Sequence, residues 1–231
     1  MVSALFLFQR EGPKLRRGVM SYSLCRCTVV VKYSMSINKP LMIIIAGPNG
    51  SGKTTVAAPF LKKLKVKEFV NNDEIARGLS PFNYEEQALE AGRIYLRRLD
   101  NLIKIKESFA IETTLSGLSL VRQIAKAKSA GYEIRLYFIT TLNVKVNISR
   151  VRNRVKQGGH NVPVEDIKRR YKRGVINLFR TYASLCDIIY IWVTNLPDPE
   201  PIAIFVPDEW LVLNNPFWAE LKNEFEKYNE K

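Results

Sequence analysis

The sequence predicts an α/β fold in which five strands form a mainly parallel sheet flanked by helices. Short runs of β-branched and aromatic residues alternate with segments of helical periodicity along most of the chain. Strands that alternate with helices in this way are typical of parallel sheets. In addition, the apolar run 41–46 leads directly into the glycine-rich run 47–55, a strand–loop–helix order that indicates a P-loop NTPase.

The glycine-rich run fits the pattern G-x-x-x-x-G-K-[ST] at every fixed position. Its glycines let successive backbone N–H groups face one phosphate, and the following helix adds its positive N-terminal end. Lys53 supplies a cation for the outer phosphates, and Thr54 offers a hydroxyl to Mg²⁺. The run therefore predicts a nucleoside triphosphate site with ATP and Mg²⁺ as cofactors, formed by Gly47, Pro48, Asn49, Gly50, Ser51, Gly52, Lys53, Thr54 and Thr55.

The rest of the chain continues the alternation. A long helix after residue 83 carries Ala88, Tyr95, Leu99 and Ile103 on one face, which is the spacing of core positions. Four further strands of the sheet are expected at 68–70, 109–111, 132–140 and 186–192, followed by two short strand candidates and a helix from about residue 216.

Composition and charge narrow the class of protein. A chain of 231 residues with 46% hydrophobic content can bury one core, and three cysteines beside one histidine form no disulfide framework or metal pattern. No run reaches the length of a membrane span, so we expect a soluble cytoplasmic protein. The net charge of +14 is concentrated in segments 1–34 and 145–173. Because a duplex-binding face would spread its charge over several elements, nucleic acid is not expected as a partner.

The first 34 residues differ from the remainder. They contain six basic residues against Glu11, and Gly12-Pro13 would interrupt a helix. Val29–Val31 could form a strand, but the sequence shows no obvious partner for it, and Met35 would be a natural start. We therefore expect a poorly ordered N-terminal extension over 1–34, with an organelle-targeting segment as the alternative, and a kinase-like domain over 35–231.

Polar residues follow two of the expected strands. Ligands of such sheets lie beyond the carboxyl ends of the strands, so Asp73, Glu112 and the P-loop are expected to converge. A carboxylate beside the γ-phosphate can deprotonate a substrate hydroxyl, a role that suits Asp73 unless it only caps a short helix. Glu112 is either a second Mg²⁺ or substrate contact or an ordinary strand-end carboxylate, and Thr114 is a candidate substrate contact.

The basic segment 145–173 predicts a lid. Arg150 and Arg154 lie four residues apart on one helix, whereas Arg169 and Arg170 lie on the next helix beyond Gly158-Gly159. Two helices joined by a glycine hinge and lined with arginine can close on a polyphosphate and offset charge in the transition state. A solvated basic helix pair is the alternative. His160, in the hinge, is expected to form hydrogen bonds there and not to act in catalysis.

Four blocks in order resemble the zeta toxin family, and more narrowly its chromosomal branch of predicted ATPases. They are the P-loop, Asn72–Ala76, Glu112–Gly117, and Arg154–Pro163 with Arg169–Tyr171. The resemblance implies a kinase that uses ATP to phosphorylate a small hydroxyl substrate, which in characterised toxins is UDP-N-acetylglucosamine. An antitoxin protein is a candidate partner. By the same likeness Lys53, Asp73, Arg154 and Arg170 are the catalytic residues, with Asp73 as base, and Glu112 and Thr114 contact substrate.

The sequence differs from these relatives after the fifth strand, and a second function is also open. Relatives of this branch tend to have an Asp-Asn-Ser turn after the fifth strand, where this chain has Val193-Thr194-Asn195-Leu196. The alternative function is a binding module in which ATP closes the lid on a partner without phosphoryl transfer.

Overall fold

A computed structural model describes residues 20–24, 27–31, 39–64, 66–80, 86–159, 161–206 and 209–230. Its contacts divide the chain into two units, Met1–Lys39 and Pro40–Lys231. In the first unit, β1 (Met20–Leu24) pairs antiparallel with β2 (Cys27–Val31). The strand that Val29–Val31 could form is thus present, and β1 is the partner that the sequence did not make obvious. This partner was missed because strand pairing depends on residues outside the run itself, and β1 has only a weak strand pattern.

The second unit is built on a sheet of seven strands in the order β4-β5-β3-β6-β7-β8-β9. The first five in that order are parallel, and they correspond to the five strands that the sequence predicts. The predicted count of five is too low, since the two short strand candidates join the same sheet as antiparallel strands β8 and β9. The strands are β3 (Leu41–Ala46), β4 (Glu68–Asn71), β5 (Phe109–Thr113), β6 (Glu133–Thr140), β7 (Ile188–Val193), β8 (Glu200–Val206) and β9 (Glu209–Val212).

Seven α-helices connect or follow these strands in the described part of the chain. Because each parallel strand runs in the same direction, the polar residues after β3, β4, β5, β6 and β7 gather at one edge of the sheet. The helices are α1 (Lys53–Lys63), α2 (Asn72–Leu79), α3 (Ala88–Ile105), α4 (Ser119–Ser129), α5 (Val144–Lys156), α6 (Val164–Asn177) and α7 (Asn215–Asn229), and a π-helical turn (Leu178–Tyr182) continues α6.

Two apolar layers bury the sheet. The larger layer includes Leu99 of α3 and Ile124 of α4, and the smaller one lies on the other face and includes Ala57 of α1. Of the predicted core face of α3, Tyr95, Leu99 and Ile103 are buried. Ala88 is exposed because it is the first residue of the helix, and Ala91 is buried one turn later. No helix among the described residues is long and apolar enough to cross a membrane.

A charged pair lies buried within β6. Arg135 is 1% exposed, and its Nε donates to Glu133 Oε1 at 2.6 Å. Burial by itself lowers the pKa of the Arg135 guanidinium, but the Glu133 carboxylate together with Tyr137 and Tyr190 outweighs burial, and the net pKa is raised. Glu133 therefore compensates a positive charge that the interior would otherwise disfavour.

Replacing Glu133 by Ala is expected to lower the free energy of unfolding by about 3 kcal/mol, because it leaves the Arg135 charge buried without its carboxylate. Denaturant unfolding measures the change. Glu90→Ala is the matched control, since Glu90 pairs with Arg93 at 3.3 Å on the exposed surface and its loss is expected to cost under about 1 kcal/mol. Equal losses in the two variants would contradict the argument from burial.

Candidate active site

The P-loop, Gly47–Thr55, runs from the end of β3 into the first turn of α1. Positions 47 and 50 of this loop require glycine. Gly47 and Gly50 have φ angles of +143° and +77°, in the region that favours glycine. A Cβ atom at Gly47 would lie 2.0 Å from the carbonyl oxygen of Ile139, and one at Gly50 would lie 2.6 Å from that of Asn147. The glycines thus permit both the turn of the backbone and its close approach to β6 and α5.

Lys53 lies at the start of α1 with 7% of its surface exposed. Its Nζ donates to the carbonyl oxygen of Pro48 at 3.1 Å and lies 3.7 Å from Glu112 Oε1. Burial lowers the pKa of Lys53, while the nearby charges of Glu112 and Asp73 act to raise it and that of Arg154 acts to lower it. Two carboxylates, one from β5 and one from α2, thus favour the charged form of Lys53, and a guanidinium from α5 disfavours it.

Thr54 and Glu112 bring two side-chain oxygen atoms together at the P-loop. The hydroxyl of Thr54 donates to Glu112 Oε2 at 3.0 Å, and Glu112 lies opposite Ile45 of β3 in the parallel register. Mg²⁺ prefers oxygen ligands, and in phosphate sites it takes one or two from the protein and others from phosphate and water. These residues fit that pattern, and no group of three His, Cys, Asp or Glu residues in the described ranges forms a separate metal site.

Asp73 lies in the first turn of α2 and is exposed. The helix is capped by Asn71, whose side-chain oxygen accepts from the backbone N–H of Asp73 at 2.9 Å. The alternative that Asp73 caps this helix is therefore wrong. Asn71 lies opposite Glu112 in the register of β4 with β5, so the carboxylates of Asp73 and Glu112 lie near the carboxyl ends of neighbouring strands.

The P-loop is held from two further elements. The side-chain nitrogen of Asn147, on α5, donates to the carbonyl oxygen of Asn49 at 2.8 Å, and Asn147 Oδ1 accepts from Thr141 Oγ1 at 2.5 Å. After β7, the hydroxyl of Thr194 donates to the carbonyl oxygen of Ser51 at 2.7 Å. The interpretation of the sequence did not assign Asn147 or Thr194 to the site. Thr194 is the polar residue after a parallel strand and could have been found by that position, whereas nothing in the sequence marks Asn147.

The segment predicted to be a lid forms α5 and α6, and its arginines differ in their surroundings. Arg150 donates to both Oγ1 and the carbonyl oxygen of Thr194, and Arg170 Nη1 donates to Asn49 Oδ1 at 3.2 Å. Arg154, at the end of α5, is exposed and its charge acts on Lys53. Arg169 instead pairs with Asp166 at 2.7 Å on the surface of the lid. Three lid arginines thus lie near the P-loop, and Arg169 does not.

Thr114 follows β5 and lies two residues after Glu112. Its hydroxyl lies 2.8 Å from that of Ser116, so the two hydroxyls share a hydrogen bond. Both are partly exposed and are available to a polar ligand. Ser116 was not among the site residues that the sequence suggested, and His160 lies outside the described residues.

The zeta toxin family model matches residues 28–193, which is more than half of the chain. An uncharacterized protein of Haemophilus influenzae is 31% identical over 142 residues, covering 62% of this chain and all of that protein. The fold is similar to that of the AvrRxo1-ORF1:-ORF2 complex with ATP, with a TM-score of 0.67 and 19% identity over 79% of this chain. The match covers 63% of that chain, so this protein spans less than two thirds of its length.

A second similar structure is that of the PezAT chromosomal toxin–antitoxin system of Streptococcus pneumoniae. Its TM-score is 0.53 at 16% identity, and the match covers 85% of this chain and 90% of that one. These likenesses confirm the predicted P-loop fold, and the family match confirms the predicted relationship and class of enzyme, a P-loop phosphotransferase. The chain belongs to the zeta toxin family.

Proposed function

We propose that this protein is a kinase that transfers the γ-phosphoryl group of ATP to a hydroxyl group of a small molecule. The observation that carries the proposal is the approach of Glu112 Oε1 to within 3.7 Å of Lys53 Nζ beside the P-loop, with the charge of Asp73 acting on the same amine. This arrangement supplies a phosphate cradle, a buried cation and an exposed carboxylate at one edge of the sheet. Those are the parts that positioning and charge stabilisation require in phosphoryl transfer.

Each residue has a role in this reaction. The P-loop N–H groups bind the phosphates, and Lys53 neutralises charge on the outer ones. Thr54 and Glu112 would hold Mg²⁺, which would offset the negative charge of the phosphates. Asp73 accepts the proton of the acceptor hydroxyl as that oxygen attacks phosphorus in line. Arg154 and Arg170 stabilise the charge that develops on the transferred group and on the leaving phosphate.

The acceptor is a hydroxyl compound bound beside Glu112 and Thr114. By family likeness we propose a nucleotide sugar such as UDP-N-acetylglucosamine. To test this, the protein is incubated with Mg²⁺, ATP and a pool of nucleotide sugars, and each sugar is examined for a mass gain of one phosphoryl group. A gain that requires both ATP and protein supports the proposal. ATP conversion without any phosphorylated acceptor would contradict this acceptor class.

The second candidate function is ATP-gated binding of a protein partner. It is favoured by the hydrogen bond from Arg170 on the lid to Asn49 in the P-loop, because a nucleotide at the P-loop would alter a contact that involves the lid. An antitoxin is the proposed partner, since PezAT is described as a toxin–antitoxin system. Partner binding that depends on ATP, with no transfer to any acceptor, would favour this function over the kinase.

Replacing Arg170 by Ala is expected to lower turnover about tenfold or more while ATP affinity changes less, because a charge clamp acts mainly as charge redistributes in the transition state. Arg154→Ala is expected to behave in the same way. Lys168→Ala is the matched control, since it removes one positive charge from the exposed surface of the same helix, where Lys168 pairs with Glu165 at 2.8 Å. Turnover and ATP titrations measure both quantities, and equal losses would make Arg170 a ground-state binder.

A further inference from the structure

The loop Thr114–Gly117, here called the acceptor loop, contains a residue in an unfavourable backbone conformation. Leu115 has a φ angle of +59° and is 1% exposed. A left-handed conformation at a residue other than glycine costs free energy and persists where surrounding contacts hold it. The contacts of this loop therefore show what sets its shape.

Those contacts come from α6 and the π-helical turn that follows it. The side-chain nitrogen of Asn177 donates to the carbonyl oxygen of Leu115 at 2.8 Å. The hydroxyl of Tyr182 donates to the carbonyl oxygen of Gly117, also at 2.8 Å. In the same helix, a Cβ atom at Gly174 would lie only 3.0 Å from the carbonyl oxygen of Thr114, so the backbones are in close contact.

The π-helical turn explains how two residues five positions apart reach one loop. In a regular α-helix, such residues point about 140° away from each other. A π-helical turn holds more residues, because each N–H bonds to the carbonyl five residues earlier, as Ala183 does to Leu178 at 2.9 Å. The wider turn reduces the angle between the side chains of Asn177 and Tyr182. Both can then donate to carbonyl groups of the acceptor loop.

We propose that Asn177 and Tyr182 are positioning residues that hold the acceptor loop so that the hydroxyls of Thr114 and Ser116 present to the acceptor. This inference rests on the proposed kinase function. Because Arg170 on the same α6 contacts Asn49 in the P-loop, one helix links the phosphate side of the site to the acceptor side. The helix thereby sets the distance between the γ-phosphoryl group and the acceptor hydroxyl. The rate of transfer depends steeply on that distance.

The protonation and burial of Tyr182 suit a residue that holds the acceptor loop. Burial raises the pKa of its phenol to about 12, so the hydroxyl remains protonated and donates throughout the neutral pH range. Its side chain is fully buried, so the donating hydroxyl is shielded from water.

The test compares Tyr182→Phe and Asn177→Leu with Tyr132→Phe as a matched control. The hydroxyl of Tyr132 likewise donates to backbone carbonyls, those of Leu102 at 2.9 Å and Glu107 at 2.8 Å, but it precedes β6 at the other end of the strand. Each tyrosine variant loses one buried hydroxyl, so their losses of stability should be similar. Amide hydrogen exchange of residues 114–117 and steady-state kinetics, with UDP-N-acetylglucosamine as the acceptor probe, are measured for all three.

In Tyr182→Phe and Asn177→Leu, we expect the amides of residues 114–117 to exchange about tenfold faster than in the wild-type protein. We also expect kcat/KM for the probe to fall about tenfold or more, while the KM for ATP stays within about twofold of the wild-type value. Tyr132→Phe should change neither loop exchange nor the kinetics. Unchanged loop exchange in Tyr182→Phe and Asn177→Leu, or probe kinetics like those of the control, would overturn the inference. If the wild-type protein does not phosphorylate the probe, that result counts against the proposed acceptor, and loop exchange alone decides whether Asn177 and Tyr182 position the loop.

Discussion

Replacing Asp73 by Asn is expected to lower phosphoryl transfer by a factor on the order of 10²–10⁴ and to leave ATP and Mg²⁺ binding intact. The amide has nearly the shape of the carboxylate but cannot accept the acceptor proton. The variant should fold normally, because Asn71 supplies the cap of α2 and Asp73 contributes only its backbone N–H to that bond. Transfer is measured as acceptor phosphorylation, and ATP binding by titration.

The matched control is Glu74→Gln. Glu74 is the next residue in the same turn of α2, is exposed and pairs with Arg77 at 2.8 Å, so its replacement removes the same charge from the same helix. It should transfer at nearly the wild-type rate. Wild-type transfer by Asp73→Asn would instead exclude Asp73 as the base and point to Glu112, and equal losses in both variants would indicate a general effect of charge.

Replacing Lys53 by Ala is expected to abolish ATP binding or turnover while the protein remains folded. The change removes the cation that contacts the outer phosphates, and the neighbouring Glu112 carboxylate then repels them. Folding should not suffer from the lost charge, because burial already disfavours the charged amine and lowers the pKa of Lys53. ATP titration and turnover measure function, and thermal unfolding measures the fold.

Lys126→Ala is the control for Lys53→Ala. Lys126 pairs with Asp100 at 2.5 Å on the exposed surface of α4, so the control removes one positive charge away from the site. ATP affinity and turnover should be unchanged in it. Undiminished ATP affinity and turnover in Lys53→Ala would disprove the assignment of the P-loop.

The parallel strands and the P-loop could be predicted because their signals are local. Each buried strand is a short apolar run in one stretch of sequence, and the P-loop pattern is contiguous, with glycines where the backbone requires them. The pairing of β1 with β2 and the addition of β8 and β9 to the sheet were not predicted. Those pairings depend on which chain segment lies alongside, which no single run of residues specifies.

Within the site, the sequence by itself determined the residue types near the carboxyl ends of the strands: Lys53, Asp73, Glu112 and Thr114. Only the tertiary structure decided which residue caps α2 and which arginine reaches the P-loop. It assigns the cap of α2 to Asn71 and frees Asp73 from that role, and it directs Arg170 to the P-loop while Arg169 pairs on the surface.

The residues that support the site were also decided by tertiary structure. Asn147 and Thr194 hold the P-loop, and Asn177 and Tyr182 hold the loop after β5, across separations of 62 to 143 positions in the chain. In the sequence each is an ordinary polar or aromatic residue of a helix or strand end. Their contacts arise only when the folded sheet brings its strand ends together with α5, α6 and the π-helical turn, because a hydrogen bond forms between atoms adjacent in space, whatever their separation along the chain.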